Sequence, residues 1–251
     1  MAGEMNSDKP VLVLLHGWGV NQGVWRTIVA GLPDTIKILT PDLPGFGNAT
    51  AFPSPYSLDA VLDFMAQDFP DNSYVAGWSL GGLLAIALAA KYPRKVKRLA
   101  LIAASPCFLA QQDWPGMSAA VMQQFALSLK NNLPQTIDRF LAIQAMGSTS
   151  ARNDTKQLKQ AILAYPAPQA EAVEAALQLL SQCDLRAEFS ALKQPVAGYF
   201  GRLDALVPVS VVEKLKQLQP AAQFDIAGHA SHAPFISHPD SFLIWLRSWH
   251  G

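Results

Sequence analysis

The chain has 251 residues, of which 50% are hydrophobic and 15% are charged, and its formal net charge is zero. This length and composition fit one large α/β domain, with or without an inserted subdomain. The balanced charge excludes a strong global attraction to nucleic acid or to an anionic membrane, so we expect neither as a partner.

The chain shows no targeting segment and no cysteine framework. Residues 1–10 contain charged side chains and no apolar run, which argues against a signal peptide. The apolar run Val11–Leu15 is far too short to span a bilayer. Cys107 and Cys183 lie beside apolar residues, which indicates buried reduced thiols and no disulfide or metal site. We therefore expect a soluble, cytoplasmic protein that needs no metal and no cofactor.

The first hundred residues alternate between strand-like and helix-like runs. The predicted elements, in chain order, are the strand Val11–Leu15, the helix Gly23–Leu32, the strand Ile36–Thr40, the helix Ser57–Phe69 with Ser57 as its N-cap, the strand Tyr74–Ala76, the helix Leu80–Tyr92 and the strand Val96–Ala103. Single helices between strands are typical of a parallel sheet that is covered by helices on both faces.

This alternation stops after Ser105 and resumes near residue 196. From about residue 112 to about residue 181 the sequence contains no convincing strand and is broken by Pro115, Pro134, Pro166 and Pro168. Four helices are predicted there: Ser118–Leu129, Pro134–Met146, Asp154–Leu163 and Gln169–Ser181. The later elements are the strand Val196–Phe200, the helix Val209–Leu218, the strand Gln223–Ile226 and the helix Asp240–Trp249. We therefore predict an α/β core, residues 1–111 and 183–251, that is interrupted by an all-helical lid, residues 112–182.

The segment Gly77-Trp78-Ser79-Leu80-Gly81 joins a predicted strand to its following helix. Gly-x-Ser-x-Gly in this context is typical of a nucleophile elbow, in which a sharp turn exposes a serine at the N-terminus of a helix. Free backbone N–H groups there favour developing negative charge. Ser79 is therefore the candidate nucleophile, and Trp78 is either part of the site or a core aromatic residue.

A serine hydroxyl needs a base to take its proton, and the base needs an acid to orient it. With a nucleophile elbow, the acid and then the histidine follow the serine along the chain. Asp204 follows one predicted strand and His232 follows the next, so both satisfy this order. Four alternatives stay open: His229 and His238 as the base, and Asp42 and Asp225 as the acid.

An ester hydrolase also needs two backbone N–H groups for the oxygen that gains charge during the reaction. Leu80, which directly follows the candidate nucleophile, supplies one such group. The glycine-containing segment His16-Gly17-Trp18-Gly19 follows the first strand and allows close approach to a substrate. We predict Trp18 as the second donor, with its indole either lining the acyl pocket or packed in the core.

Four motifs together carry a family resemblance: residues 16–19, 42–47, 77–82 and 232–239. With them the chain resembles the α/β-hydrolases and, more narrowly, the pimeloyl-[acyl-carrier protein] methyl ester esterases, which are bacterial carboxylesterases of biotin synthesis. The resemblance extends from Pro10 over nearly the whole chain. It implies a mostly parallel central sheet with a helical lid. It also implies that the base is the histidine that opens His-Ala-Pro-Phe, which is His232 here.

The resemblance further implies a substrate and its contacts. Members of this family hydrolyse the methyl ester of a pimeloyl chain tethered to acyl-carrier protein and release methanol. Their substrate contacts correspond here to Trp18, Ser79, Leu80 and His232, and to the lid residues Phe140, Leu141, Ala142, Ile143 and Gln144.

The carrier protein of that family is acidic, so a basic lid face is expected. Between residues 130 and 160 five basic side chains (Lys130, Arg139, Arg152, Lys156 and Lys159) stand against Asp138 and Asp154. We predict docking at Arg139, Arg152, Lys156 and Lys159, with a solvated helix face as the alternative, and we expect a monomer.

Other functions are compatible with the same residues. A general short-chain carboxylesterase or a C–C bond hydrolase would use the same triad, and a longer pocket or a basic lid face would argue against them. A non-catalytic receptor that keeps the fold is a third possibility. Stoichiometric reaction of Ser79 with a phosphonate would exclude it.

Overall fold

A computed structural model describes residues 9–148 and 150–250 of the chain. The strands are β1 (Val11–Leu15), β2 (Lys37–Leu39), β3 (Ser73–Trp78), β4 (Val96–Ile102), β5 (Val196–Gly201) and β6 (Gln223–Ala227). They form one sheet in the order β2-β1-β3-β4-β5-β6, and every neighbouring pair is parallel. Most of the N-terminal stretch for which we predict no signal peptide lies outside the described residues.

The helices alternate with the strands, apart from one long run between β4 and β5. They are α1 (Arg26–Gly31), α2 (Leu58–Ala66), α3 (Leu80–Lys91), α4 (Ala119–Asn131), α5 (Leu133–Gln144), α6 (Ala151–Ile162), α7 (Ala170–Gln182), α8 (Arg186–Ala191), α9 (Val211–Leu218), α10 (Pro234–Ser237) and α11 (Pro239–His250). A 3₁₀ turn, Gln22–Trp25, precedes α1.

The central strands of the sheet are largely buried on both faces. Val13 and Leu15 of β1 pack in one apolar core, and Leu12 and Leu14 pack in a second core on the opposite face. Adjacent residues of a strand point to opposite faces, so the unbroken apolar run of β1 is what a doubly covered parallel strand requires. The predicted α/β architecture is therefore confirmed.

Most predicted elements lie within a few residues of the observed ones. Ser57 caps α2 as predicted, because its Oγ accepts a hydrogen bond from the N–H of Ala60 at 3.2 Å. The predicted helix Gly23–Leu32 is divided into the 3₁₀ turn and the short helix α1. Helices α8 and α10 were not predicted, since helices of six and four residues are too short to show a helical period.

The helices α4 to α7 follow β4 and precede β5. Side chains from α4, α5 and α7 pack around a small cavity beside Ser79, at the carboxyl end of β3. This end of a parallel sheet is where ligands bind in such folds. No helix of the described ranges is long and apolar enough to cross a membrane.

Candidate active site

The turn between β3 and α3 holds Ser79 in a backbone conformation that few residues adopt. Its φ is +54° and its ψ is −118°, which costs on the order of 1–3 kcal/mol outside glycine. The N–H of Ser79 donates to the carbonyl of Ile102 in the neighbouring strand β4 at 3.1 Å. The strain is therefore held in place by the sheet, and the serine lies at the N-terminus of α3.

The glycines on either side of Ser79 make this turn possible. A Cβ atom at Gly81 would lie 2.5 Å from the carbonyl oxygen of Leu15 and 2.6 Å from that of His16. A Cβ atom at Gly77 would overlap the carbonyl of Gly81. Both neighbours are backbone atoms that cannot rotate away, so the elbow excludes any side chain at these two positions.

Asp204 and His232 meet beside this elbow. Oδ2 of Asp204 lies 2.7 Å from Nδ1 of His232, and both side chains are fully buried. Oδ1 of the same carboxylate accepts hydrogen bonds from the N–H groups of Leu206 at 2.8 Å and Val207 at 2.9 Å. Nε2 of His232 is buried and has no hydrogen-bond partner among the described residues. The ring is thus oriented by a fixed carboxylate, and its second nitrogen is available to a proton donor.

The four alternative residues for the acid and the base are exposed or are engaged in other contacts. Asp42 accepts hydrogen bonds from Gln22 and from the N–H of Asn48, so it holds a turn. Asp225 and His229 are exposed. His238 bonds to the hydroxyl of Ser237 at 2.8 Å. We therefore infer that Asp204 and His232 are the acid and the base.

Trp78 links the nucleophile turn to the base. Its Nε1 donates to the carbonyl oxygen of His232 at 2.7 Å, and its ring packs edge-on against Phe235 at 4.9 Å between centroids. On the other side, a Cβ atom at Gly17 would lie 3.1 Å from the Trp78 ring. Trp78 is fully buried, and it contacts both the base loop and the loop after β1.

The two proposed oxyanion donors are the N–H groups of Trp18 and Leu80. Neither group donates a backbone hydrogen bond within the described ranges. The indole of Trp18 is tied to the lid, because its Nε1 donates to the carbonyl of Val173 at 2.8 Å and its ring packs edge-on against Phe140. The indole is therefore fully buried between core and lid.

The cavity beside Ser79 is apolar and nearly closed. Six of its lining side chains come from the lid: Met117, Met122, Phe125, Phe140, Leu177 and Leu180. Its volume is about 10 Å³, which is room for about one water molecule. An acyl chain can enter only if these side chains move apart.

The lid segment that the resemblance assigns to substrate binding divides between two faces of α5. Phe140 lines the cavity, and Leu141 is buried in the core on the other face of the sheet. Gln144 is fully buried, and its amide nitrogen and oxygen have no hydrogen-bond partner among the described residues. Ala142 is exposed and Ile143 is partly exposed, so the structure does not bring Ala142 to the cavity.

The predicted basic face of the lid is partly neutralised. Lys159 lies 2.9 Å from Asp138, and Lys130 lies 3.7 Å from Glu174. Arg139, Arg152 and Lys156 are exposed and form no ion pair in the part of the chain that the structure describes. Three free positive charges therefore remain on this face.

The model of the alpha/beta hydrolase fold matches residues 10–239 of the chain. The chain belongs to the α/β-hydrolase family. Among the relatives of this hydrolase is the pimeloyl-[acyl-carrier protein] methyl ester esterase of Aeromonas hydrophila subsp. hydrophila, 45% identical over 96% of both chains. The protein with the same name from Pseudoalteromonas atlantica is 47% identical over 94% of this chain and 93% of its own.

Solved structures show the same fold at low identity. An esterase from Exiguobacterium antarcticum superimposes with a TM-score of 0.84 at 18% identity, covering 96% of this hydrolase and 91% of that chain. A thermophilic esterase from Thermogutta terrifontis gives a TM-score of 0.80 at 23% identity, covering 96% and 89%.

His16 orients the proposed oxyanion donor of this hydrolase, a role that was not predicted. Its Nε2 accepts from the N–H of Leu43 at 2.9 Å, so Nδ1 carries the proton and donates to the carbonyl of Gly17 at 2.8 Å. The C=O and N–H of a trans peptide point in opposite directions. Because the carbonyl of Gly17 points toward the His16 ring, the N–H of Trp18 in the same peptide points away from that ring.

The protonation state of His16 gives a testable pH dependence. Burial holds the pKa of His16 below its ordinary value of 6.5, against the opposing effects of Gly17 and Asp42. The stability that this neutral ring contributes is fully present above pH 6.5 and is lost as the pH falls through the folded-state pKa. We expect the free energy of unfolding to fall less from about pH 7.5 to about pH 5 in His16→Asn than in the wild type. Urea denaturation at each pH measures this, and equal slopes would contradict it.

Proposed function

We propose that this chain hydrolyses the methyl ester of pimeloyl-[acyl-carrier protein] to pimeloyl-[acyl-carrier protein] and methanol, in biotin synthesis. One observation carries the proposal. Relatives with this name are 42–47% identical to the chain over more than nine-tenths of its length. The bond between Asp204 and His232 supports it, because a serine nucleophile at position 79 needs a base that is oriented in this way.

The first step is attack by Ser79 on the ester carbonyl carbon. His232 accepts the hydroxyl proton on Nε2, and Asp204 stabilises the imidazolium through its bond to Nδ1. The N–H groups of Trp18 and Leu80 bind the oxygen that becomes negative. The imidazolium then returns the proton to the methoxide as it leaves, which forms methanol and an acyl-serine.

The second step reverses these roles with water as the nucleophile. His232 takes a proton from the water, the hydroxide attacks the acyl-serine, and Ser79 leaves with the proton from the imidazolium. The product is a free carboxylate on the carrier-bound chain. The amide of Gln144 is fully buried and is not among the groups that line the cavity, so we assign it no part in either step.

Growth of a biotin auxotroph that lacks its own esterase of this type tests the proposal. Expression of the wild-type chain should restore growth without biotin, and the purified protein should release methanol from the carrier-bound ester. Failure of both, with turnover of a short nitrophenyl ester retained, would instead support the general short-chain carboxylesterase. We also propose that the protein is cytoplasmic and monomeric.

We further propose that the carrier docks on the exposed face formed by Arg139, Arg152 and Lys156. These three charges are free to attract an acidic partner, and such attraction acts mainly on the association rate. Lys159 belonged to the predicted face, but its charge is compensated by Asp138 at 2.9 Å. We therefore expect Lys159 to contribute less than the other three residues.

Salt dependence separates docking from chemistry. We expect added salt to lower kcat/KM for the carrier-bound ester far more than for a small free ester, because exposed charges are screened. Arg139→Ala should lower kcat/KM for the carrier-bound ester by about three- to tenfold and weaken its salt dependence. Arg94→Ala is the matched control, since Arg94 is exposed at the far end of β4 and pairs with Asp71. Equal salt effects on both substrates would contradict docking on this face.

A further inference from the structure

The end of the lid helix α5 is hydrogen-bonded to the loop that carries the base. The carbonyl of Gln144 accepts from the N–H of His232 at 3.1 Å, and the carbonyl of Met146 accepts from Oγ of Ser231 at 2.7 Å. The last carbonyls of a helix have no donor within the helix. The N–H of His232 therefore caps the last carbonyl of α5, and Oγ of Ser231 holds the turn that directly follows the helix.

The main chain of His232 is held from the opposite side as well. Its carbonyl accepts the indole N–H of Trp78 at 2.7 Å. One peptide bond of the base is thus tied to the nucleophile turn and the other to the lid. The position of the imidazole relative to Ser79 depends on both attachments, because the bond to Asp204 fixes the ring's direction but not its distance from the serine.

Ser231 lies where three segments meet. It is 2% exposed, and its hydroxyl lies 3.5 Å from the carbonyl of Leu203, next to the acid Asp204. The N–H of Leu203 donates to the carbonyl of Ala230, and a Cβ atom at Gly147 would lie 3.2 Å from the Cβ atom of Leu203. One hydroxyl therefore connects the end of α5 with both catalytic loops.

We propose that Ser231 is a positioning residue that couples closure of the lid to alignment of the base. The cavity beside Ser79 has room for about one water molecule, so the lid side chains around it, among them Phe140 of α5, must move before an ester can enter. A shift of α5 removes both lid attachments of the base loop, and closure over the substrate restores them. His232 is then fully aligned only when the ester is enclosed. This inference rests on the proposed function only in taking His232 as the base.

The test uses Ser231→Ala and a short nitrophenyl ester, which needs no carrier protein. With active sites counted by titration with a phosphonate, we expect kcat per active site to fall about three- to tenfold, which is the effect of one lost hydrogen bond. KM should change less than about twofold, since no group that contacts the ester is removed. Hydrogen exchange in the peptide that contains α5 should become faster.

Two further variants at position 231 and one control variant make the result decisive. Ser231→Thr keeps the hydroxyl and should recover at least half of kcat. Ser231→Cys, whose thiol is only a weak donor, replaces Ser231→Ala if that variant fails to fold, and it should show the same loss of kcat. Ser181→Ala is the control, because the one hydrogen bond of that hydroxyl within the described residues goes to the carbonyl of Gln178 in its own helix. An unchanged kcat per active site in Ser231→Ala would overturn the inference. Failure of the wild type on the carrier-bound ester would overturn only the proposed function.

Discussion

Ser79→Ala is expected to lower kcat by at least about ten-thousand-fold and to leave the fold intact. Without the hydroxyl no acyl-enzyme forms, and only binding and the oxyanion donors remain to assist attack by water. The substitution removes a single oxygen from a residue that is 2% exposed. That oxygen forms no hydrogen bond within the described ranges of the chain, so its loss leaves no buried partner unsatisfied.

The measurement is kcat on a short nitrophenyl ester, together with the stoichiometry of labelling by a phosphonate. The wild type should bind one phosphonate per chain, and Ser79→Ala should bind none. Ser57→Ala is the matched control. Its hydroxyl caps α2, so this variant should lose about 1 kcal/mol of stability and keep its kcat. Labelling of Ser79→Ala would show that a different nucleophile acts.

The core could be predicted from the sequence because its strands and helices each carry a strong local pattern. The run Val11–Leu15 is apolar throughout because both faces of β1 are covered, and Ser57 marks the start of α2 through its own hydroxyl. The elements that were missed lack such a pattern. Helix α10, Pro234–Ser237, forms a single turn, and its sequence is equally compatible with a loop.

The order of the site residues along the chain could also be predicted. The long-range hydrogen bonds that hold them in place could not. The bond from Trp78 to the carbonyl of His232 joins residues 154 apart in the chain, and that from Ser231 to Met146 joins residues 85 apart. In both cases the acceptor is a main-chain carbonyl, which every residue has. The identity of the acceptor residue therefore does not reveal the hydrogen bond in the sequence. The contact forms only when the chain packs in the fold.

The net charge of the lid face is a second property that the sequence alone does not determine. The sequence places five basic against two acidic side chains between residues 130 and 160. It does not show that Lys130 pairs with Glu174, which lies outside this window, or that Lys159 pairs with Asp138. Net charge along a segment therefore overstates the charge that a partner meets, because helices that pack side by side neutralise each other.

Asp204→Asn is expected to lower kcat by about a thousand- to ten-thousand-fold through a change of tautomer. Oδ1 of Asp204 accepts from the N–H groups of Leu206 and Val207, so the amide oxygen of asparagine must occupy this position. Its NH₂ group then faces Nδ1 of His232 and donates to it. The ring proton is forced onto Nε2, and that nitrogen can no longer accept the proton of Ser79.

Asp225→Asn is the matched control for this substitution. Asp225 is exposed on β6 and was the alternative acid that follows the nucleophile in the chain, so its substitution should change kcat less than about twofold. Both variants are measured on the short nitrophenyl ester, with urea denaturation to show that each is folded. Loss of kcat in Asp225→Asn, with activity kept in Asp204→Asn, would show that the catalytic acid is Asp225 on β6. Loss only in Asp204→Asn would assign the acid to Asp204, the carboxylate that two backbone N–H groups hold against Nδ1 of His232.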